Sequence, residues 1–247
     1  MKRLAPLFAY IPWHARDAIL RALTPVFLAL AVIGIPIYAF LGASDKMSAS
    51  DPRGADMAMN IYNSGIPLAL VLGGIILMNQ VVALDREKQH FRFTLAHPVA
   101  AWEFYLQRFI VALLLFVAAS ALIPIVFTAL VLPVSVLGLV KAAALYGLLL
   151  GALAMLCGAL FSKDGLVLII TFAVSSTMQD LRKADVLASW LKPVANSLPP
   201  VQLLAELRQS WLDGVPVESS DVLFVISYGV GMLAVALYLV KRLPFAR

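Results

Sequence analysis

Six times along this chain, a long run passes without one charged side chain. Twenty-three uncharged residues lie between Arg21 and Asp45, and 28 between Asp56 and Asp85. Further on come 32 between Arg108 and Lys141, 21 between Lys141 and Lys163, 15 between Asp164 and Asp180, and 19 between Asp221 and Lys241. A helix needs about 20 apolar residues to cross the ~30 Å of a bilayer's hydrocarbon. Hydrophobic residues make up 62% of the 247 and charged ones 13%, against roughly half and a quarter in soluble domains. A water-soluble core of this size could not enclose that much apolar surface. Disordered, collagen-like and soluble-enzyme readings are excluded, and a single all-α membrane domain, 1–247, is expected.

The 32-residue run is too long for one pass, and Leu132-Pro133-Val134-Ser135 offers a turn within it. Spans are therefore expected at 22–42, 62–84, 107–131, 136–161 and 221–240. The 15-residue run covers only about 22 Å as a helix. Both ends of the chain are basic, which puts both in the cytoplasm and demands an even number of crossings. Counting 165–179 as a short fifth span makes six. In that topology the cytoplasmic segments hold twelve Lys/Arg against five acids, and the external ones six against nine. The net charge of +5 is thus read as topology, and no nucleic-acid partner is expected.

Between the spans the pattern is amphipathic. Residues 1–21 carry Leu4, Phe8, Ile11, Ala15 and Ile19 at spacings of three and four, with Tyr10 and Trp13 nearby. This predicts a helix lying in the inner interface. The loop after the second span opens with Asp85, Arg86, Glu87 and Lys88. Phe91 and Leu95 follow at i, i+4, with Arg92 between them, and Pro98 stops the helix at about His97. Its dense charges of both signs suit a protein partner better than a lipid surface, and a second helix is expected from Ala100 into the third span.

The external segment 180–220 is expected to be a helical hairpin dipping into the outer leaflet, because backbone at that depth must satisfy its own hydrogen bonds. Val186–Leu191 reads as a short helix stopped by Pro193. A second helix over 201–212 carries Val201, Leu204, Leu207 and Trp211 on one stripe, started by Pro199-Pro200 and ended by Gly214. On the fourth span, Gly147, Gly151, Ala154 and Gly158 form a small-residue face that permits close helix approach. It fits packing within the chain or between two copies, or an outer gate together with the Leu204, Leu207 and Trp211 stripe.

Catalytic patterns are missing. The sequence contains no Gly-x-Ser-x-Gly, no His-Glu-x-x-His and no Gly-x-x-x-x-Gly-Lys-Ser/Thr, and the single cysteine, Cys157, sits in an apolar run. Neither catalysis nor a cofactor bound by this chain is expected. Lys141 reads as a snorkelling side chain, and Asn79 and Gln80 as interhelical hydrogen-bonding groups.

The arrangement resembles the ABC-2 type transporter permeases. The likeness rests on Leu84-Asp85-Arg86-Glu87-Lys88 leading to Phe93-Thr94-Leu95-Ala96-His97-Pro98-Val99 and Trp102-Glu103-Phe104-Tyr105-Leu106. It rests also on Trp190-Leu191-Lys192-Pro193, Leu198-Pro199-Pro200 and Glu206-Leu207-Arg208 before the last span. The chain departs from the family pattern at Gln89-His90-Phe91 and at Gln107-Arg108. The resemblance implies an export permease in a bacterial inner membrane, paired with a second copy or a similar chain. It also implies two cytoplasmic ATPase subunits, which would bind the ATP and magnesium. Segment 85–103 would be the coupling helix, meeting the ATPase through Asp85, Arg86, Glu87, Lys88, Phe91, Arg92, Leu95 and His97. Two other expectations stay open: a related subunit serving assembly or maturation of another system, and a membrane anchor or sensor that recruits a cytoplasmic protein.

Overall fold

The computed structural model describes residues 11–43, 52–78, 100–161 and 164–242, and among them no strand occurs. Helix α1, Ile11–Ala22, is followed after Leu23 by α2, Thr24–Ala29, a π-helical turn, Leu30–Gly34, and α3, Ile35–Ala43. Then come α4, Pro52–Met78, α5, Ala101–Leu130, α6, Val136–Leu160, and α7, Asp164–Lys183. A 3₁₀ turn, Ser189–Leu191, leads into α8, Lys192–Ser197. Helices α9, Val201–Leu212, and α10, Ser219–Arg242, complete the described chain.

Four of these helices are long and apolar enough to cross a membrane: Arg53–Met78 within α4, all of α5, α6 and α10. The stretch expected to be the first span is helical, but its apolar part, Val26–Ala39, is shorter than a crossing. The expected fifth span is likewise a helix, α7, whose 20 residues include charges at both ends, Asp164 and then Asp180, Arg182 and Lys183. Large apolar side chains turned outward, among them Leu114, Leu130, Leu137 and Leu223, mark surfaces made for acyl chains. Among the described residues the chain is all-helical, and its four long apolar helices suit a membrane.

Several boundaries follow from local chemistry. Pro133 cannot continue a helix, and α5 has ended by Val131. The Thr128 hydroxyl accepts from the Val134 amide at 3.1 Å. Ser135 then caps α6, its side chain accepting from the Gly138 amide at 3.0 Å. Gly214 takes the left-handed conformation at φ 71°, and the Val215 amide closes onto the Ser210 carbonyl at 2.8 Å, which terminates α9 as expected. Pro36 explains the π turn. Having no N–H, it cannot bond back to Val32, and the helix slips one residue so that the Ile35 amide reaches the Leu30 carbonyl.

The helix that holds the start of the second expected span, 62–84, begins at Pro52, and a proline fits a helix's first turn. One expected boundary is corrected. Pro193 begins α8 instead of stopping a helix: Val186 and Leu187 precede the 3₁₀ turn, and the proline lies in the first turn of Lys192–Ser197.

Helix α6 is the axis of the fold. In its most apolar window 78% of residues are buried inside the chain, against 17% for α10. Around it pack α10, α5, α4, α9 and α7. Its small residues explain the placement. A side chain at Gly147 would lie 2.6 Å from Leu113 and 2.9 Å from Phe116, and one at Gly151 would lie 2.6 Å from Phe109 and 3.1 Å from the Met78 sulfur. The small-residue face is spent on α5 and α4 of the same chain. Gly158 is buried on the same helix.

Candidate functional site

The expected coupling residues Asp85, Arg86, Glu87, Lys88, Phe91, Arg92, Leu95 and His97 lie outside the described residues, as do Asn79 and Gln80. What is described is the frame that holds that segment at both ends. It leaves α4 at Met78, which is fully enclosed, and returns at Ala100, whose extended backbone starts α5. Phe104 and Tyr105, in the second turn of α5, are buried and meet edge-on at 5.4 Å. His14 of α1 is 2% exposed and lies edge-on against Phe104, ring centres 4.7 Å apart.

Helix α1 therefore packs against the start of α5. Its inward side is His14 flanked by half-buried Ile11 and Ala15, while Ile19, expected on that stripe, is half exposed; Leu4 and Phe8 lie outside the described residues. Gln107, one turn further along α5, is 3% exposed, and among the described residues neither end of its amide has a hydrogen-bond partner. Arg108 beside it is also buried. Charge counting had treated that position only as the inner end of the third span.

The opposite end of the bundle holds the hairpin of α8 and α9. Helix α9 runs along α6 with Trp211 at the level of Gly138, where an added side chain would meet the Trp211 carbonyl at 2.5 Å. Leu204 and Leu207 are buried, and Trp211 packs against the same core, so the expected stripe faces inward. From Leu212 back to Val201 is about 16 Å of helix, which carries the α8–α9 turn, Leu198-Pro199-Pro200, well down the bundle. There the Tyr228 hydroxyl of α10 donates to the Ser197 carbonyl at 2.8 Å.

Gln179 of α7 holds the turn from the other side. Its amide nitrogen donates to the Pro199 carbonyl at 2.5 Å, and its amide oxygen accepts from the Gln202 N–H at 2.9 Å. One side chain thereby satisfies an orphan donor at the start of α9, which has no side-chain cap of its own.

Exposed pairs tie the rest of the hairpin together: Lys183 with Glu206, Arg182 with Asn196, and Gln209 with Asp213. Lys192 donates to Asp185 at 2.9 Å. That hydrogen bond, together with the lysine's charge, holds the Asp185 carboxyl below the usual range. Arg208, by contrast, points inward and is 8% exposed, with Nε and Nη1 enclosed and lacking acceptors among the described residues.

Lys141 is exposed near the N-terminal end of α6, and Cys157 is buried. Among the described residues, no group of three or more His, Cys, Asp or Glu could hold a metal ion. No family model, no curated protein and no solved structure matches the chain.

Proposed function

We propose that this chain is the membrane-spanning permease subunit of an ABC-2 type transporter, exporting its cargo across a bacterial inner membrane with energy from separate cytoplasmic ATPase subunits. The observation that carries the reading is the rigid frame around residues 79–99. Met78 and Phe104 are both buried, one against Gly151 of the central helix and the other against His14. A force applied to a short segment between two such anchors reaches α4, α5 and α6 together.

On this reading α2–α3 and α7 complete six crossings, both termini lie in the cytoplasm, and α8–α9 is a hairpin re-entering the outer leaflet. Irregular backbone at that depth is tolerated where protein satisfies it, and Gln179 and Tyr228 make the required bonds. ATP closes the ATPase pair, the docked 85–103 segment moves with it, and the helices exchange between two arrangements. The nucleotide can drive that exchange only through a difference in how tightly the two arrangements are held. The partner permease is a second copy or a similar chain.

The test is co-purification with the ATPase subunit and measurement of its hydrolysis. Phe91→Ala and Leu95→Ala should each weaken association, and together they should reduce permease-dependent hydrolysis by at least tenfold, which corresponds to about 1.4 kcal/mol at the docking surface. Association and hydrolysis unchanged in the double variant would remove the coupling role.

A further inference from the structure

Arg208 is a cation held away from water without a counter-charge. Only 8% of it is exposed, and Nε and Nη1 have no acceptor among the described residues. The carboxylates around it on α9 and in the hairpin are engaged elsewhere. Glu206 pairs with Lys183, Asp213 accepts from the Gln209 amide, and Asp185 is held by Lys192. The helical repeat explains the burial. Leu204 and Leu207 are enclosed on the core side of α9, and the residue four positions after Leu204 stands on the same side. Seating α9 on α6 therefore brings Arg208 in with it. Its charge reaches Tyr146 of α6, which is buried, but a phenol hydroxyl offers a lone pair and no counter-charge.

A buried arginine keeps its charge, and a charge withdrawn from water strains a fold unless an opposite one answers it. Snorkelling, which suits an exposed lysine such as Lys141, does not describe a guanidinium with two enclosed nitrogens. The ligand that matches a planar fork of N–H donors is an oxyanion, which can accept two of them at once. Its place along α9 narrows the choice. Arg208 lies one turn before the half-buried Trp211 and less than two turns before Asp213 and Gly214, which are exposed. Tryptophan in that setting belongs at the headgroup level of a bilayer, where the abundant oxyanion is phosphate.

We propose that Arg208 anchors a phosphate-binding site where α9 packs on α6, filled by the phosphate of a lipid headgroup or by free phosphate. The inference rests on membrane residence and on the unanswered charge, and is independent of the transport reading.

The unfolding temperature of the full chain, stripped of lipid in a neutral detergent, tests it in two arms. One titrates inorganic phosphate against chloride at equal ionic strength. The other titrates dioleoylphosphatidylglycerol against dioleoylglycerol, which lacks the phosphate. The wild-type chain should gain about 3–6 °C at ten times the binding midpoint in at least one arm. A gain with inorganic phosphate assigns a free anion to the site, and a gain with the phospholipid alone assigns a headgroup. Arg208→Met should abolish the gain. Arg208→Lys, which keeps the charge but not the fork, should weaken the midpoint about tenfold. Lys141→Met, which removes an exposed cation from α6, should leave the midpoint where it is. No gain for the wild-type chain in either arm would overturn the proposal. So would an equal gain in Arg208→Met, or a midpoint in Arg208→Lys no weaker than in Lys141→Met.

Discussion

Gly151→Leu is expected to lower the unfolding temperature of the detergent-solubilised chain by about 6–12 °C, the equivalent of roughly 3 kcal/mol in a chain of this length. The first added carbon would already stand 2.6 Å from the Phe109 ring and 3.1 Å from the Met78 sulfur. Three more carbons would then have to enter the contact where α4, α5 and α6 meet. Phe109 is 2% exposed and Met78 is fully enclosed, so neither has free space to retreat into. The packing of α4 and α5 on α6 would be pushed apart at a buried point. Gly231→Leu is the matched control, since nothing lies within 4 Å of that glycine. Equal unfolding temperatures for the two variants would mean that the small residues of α6 do not seat α5 and α4.

Replacing Gln179 by leucine is expected to loosen the hairpin turn while leaving the spans intact. The Pro199 carbonyl would keep the Val201 amide at 2.8 Å, but the part-buried Gln202 N–H would lose the acceptor it has among the described residues. A donor withdrawn from water and left without a partner costs about 1–3 kcal/mol. At about 2 kcal/mol, hydrogen exchange at the Gln202 amide should accelerate roughly thirtyfold through local opening. Thr177→Val serves as the control, because that exposed hydroxyl bonds to the Ala173 carbonyl of its own helix. Unchanged exchange at Gln202 in Gln179→Leu would show that the turn is held by packing alone.

These two variants separate what the sequence made legible from what it did not. Runs without charge located the four long helices because desolvating a charge dominates every other local preference. The turn at Pro133 and the stop at Gly214 were readable because each depends on the backbone limits of one residue type. The stripe Val201, Leu204, Leu207 and Trp211 was readable because a helix repeats every 3.6 residues.

Hydropathy does not, however, mark where a helix begins, and α4 starts ten residues before the expected span at 62–84. Nor can a proline's local preference tell a stop from a start, and Pro193 fell on the wrong side. The use of Gly147 and Gly151 within one chain depended on which helices stand beside α6, a property of the whole bundle. Gln179 reaches residues 20 and 23 positions away, a pairing that no local pattern announces. Its one signal was its place as the last uncharged residue before Asp180, in a helix too short to cross comfortably. Arg208 looked like an exposed charge on an external loop, and only the packing of α9 on α6 turned it inward.

The central claim is that the segment after the second long helix lies in the cytoplasm, held there as a lever for an ATPase supplied by another chain. Impermeant maleimide labelling of Phe91→Cys in a Cys157→Ser background measures this directly, comparing intact cells with inside-out membrane vesicles. Labelling in inside-out vesicles and none in intact cells, with protection when the ATPase is co-expressed, is the predicted result. Position 91 labelled from outside intact cells would contradict the account.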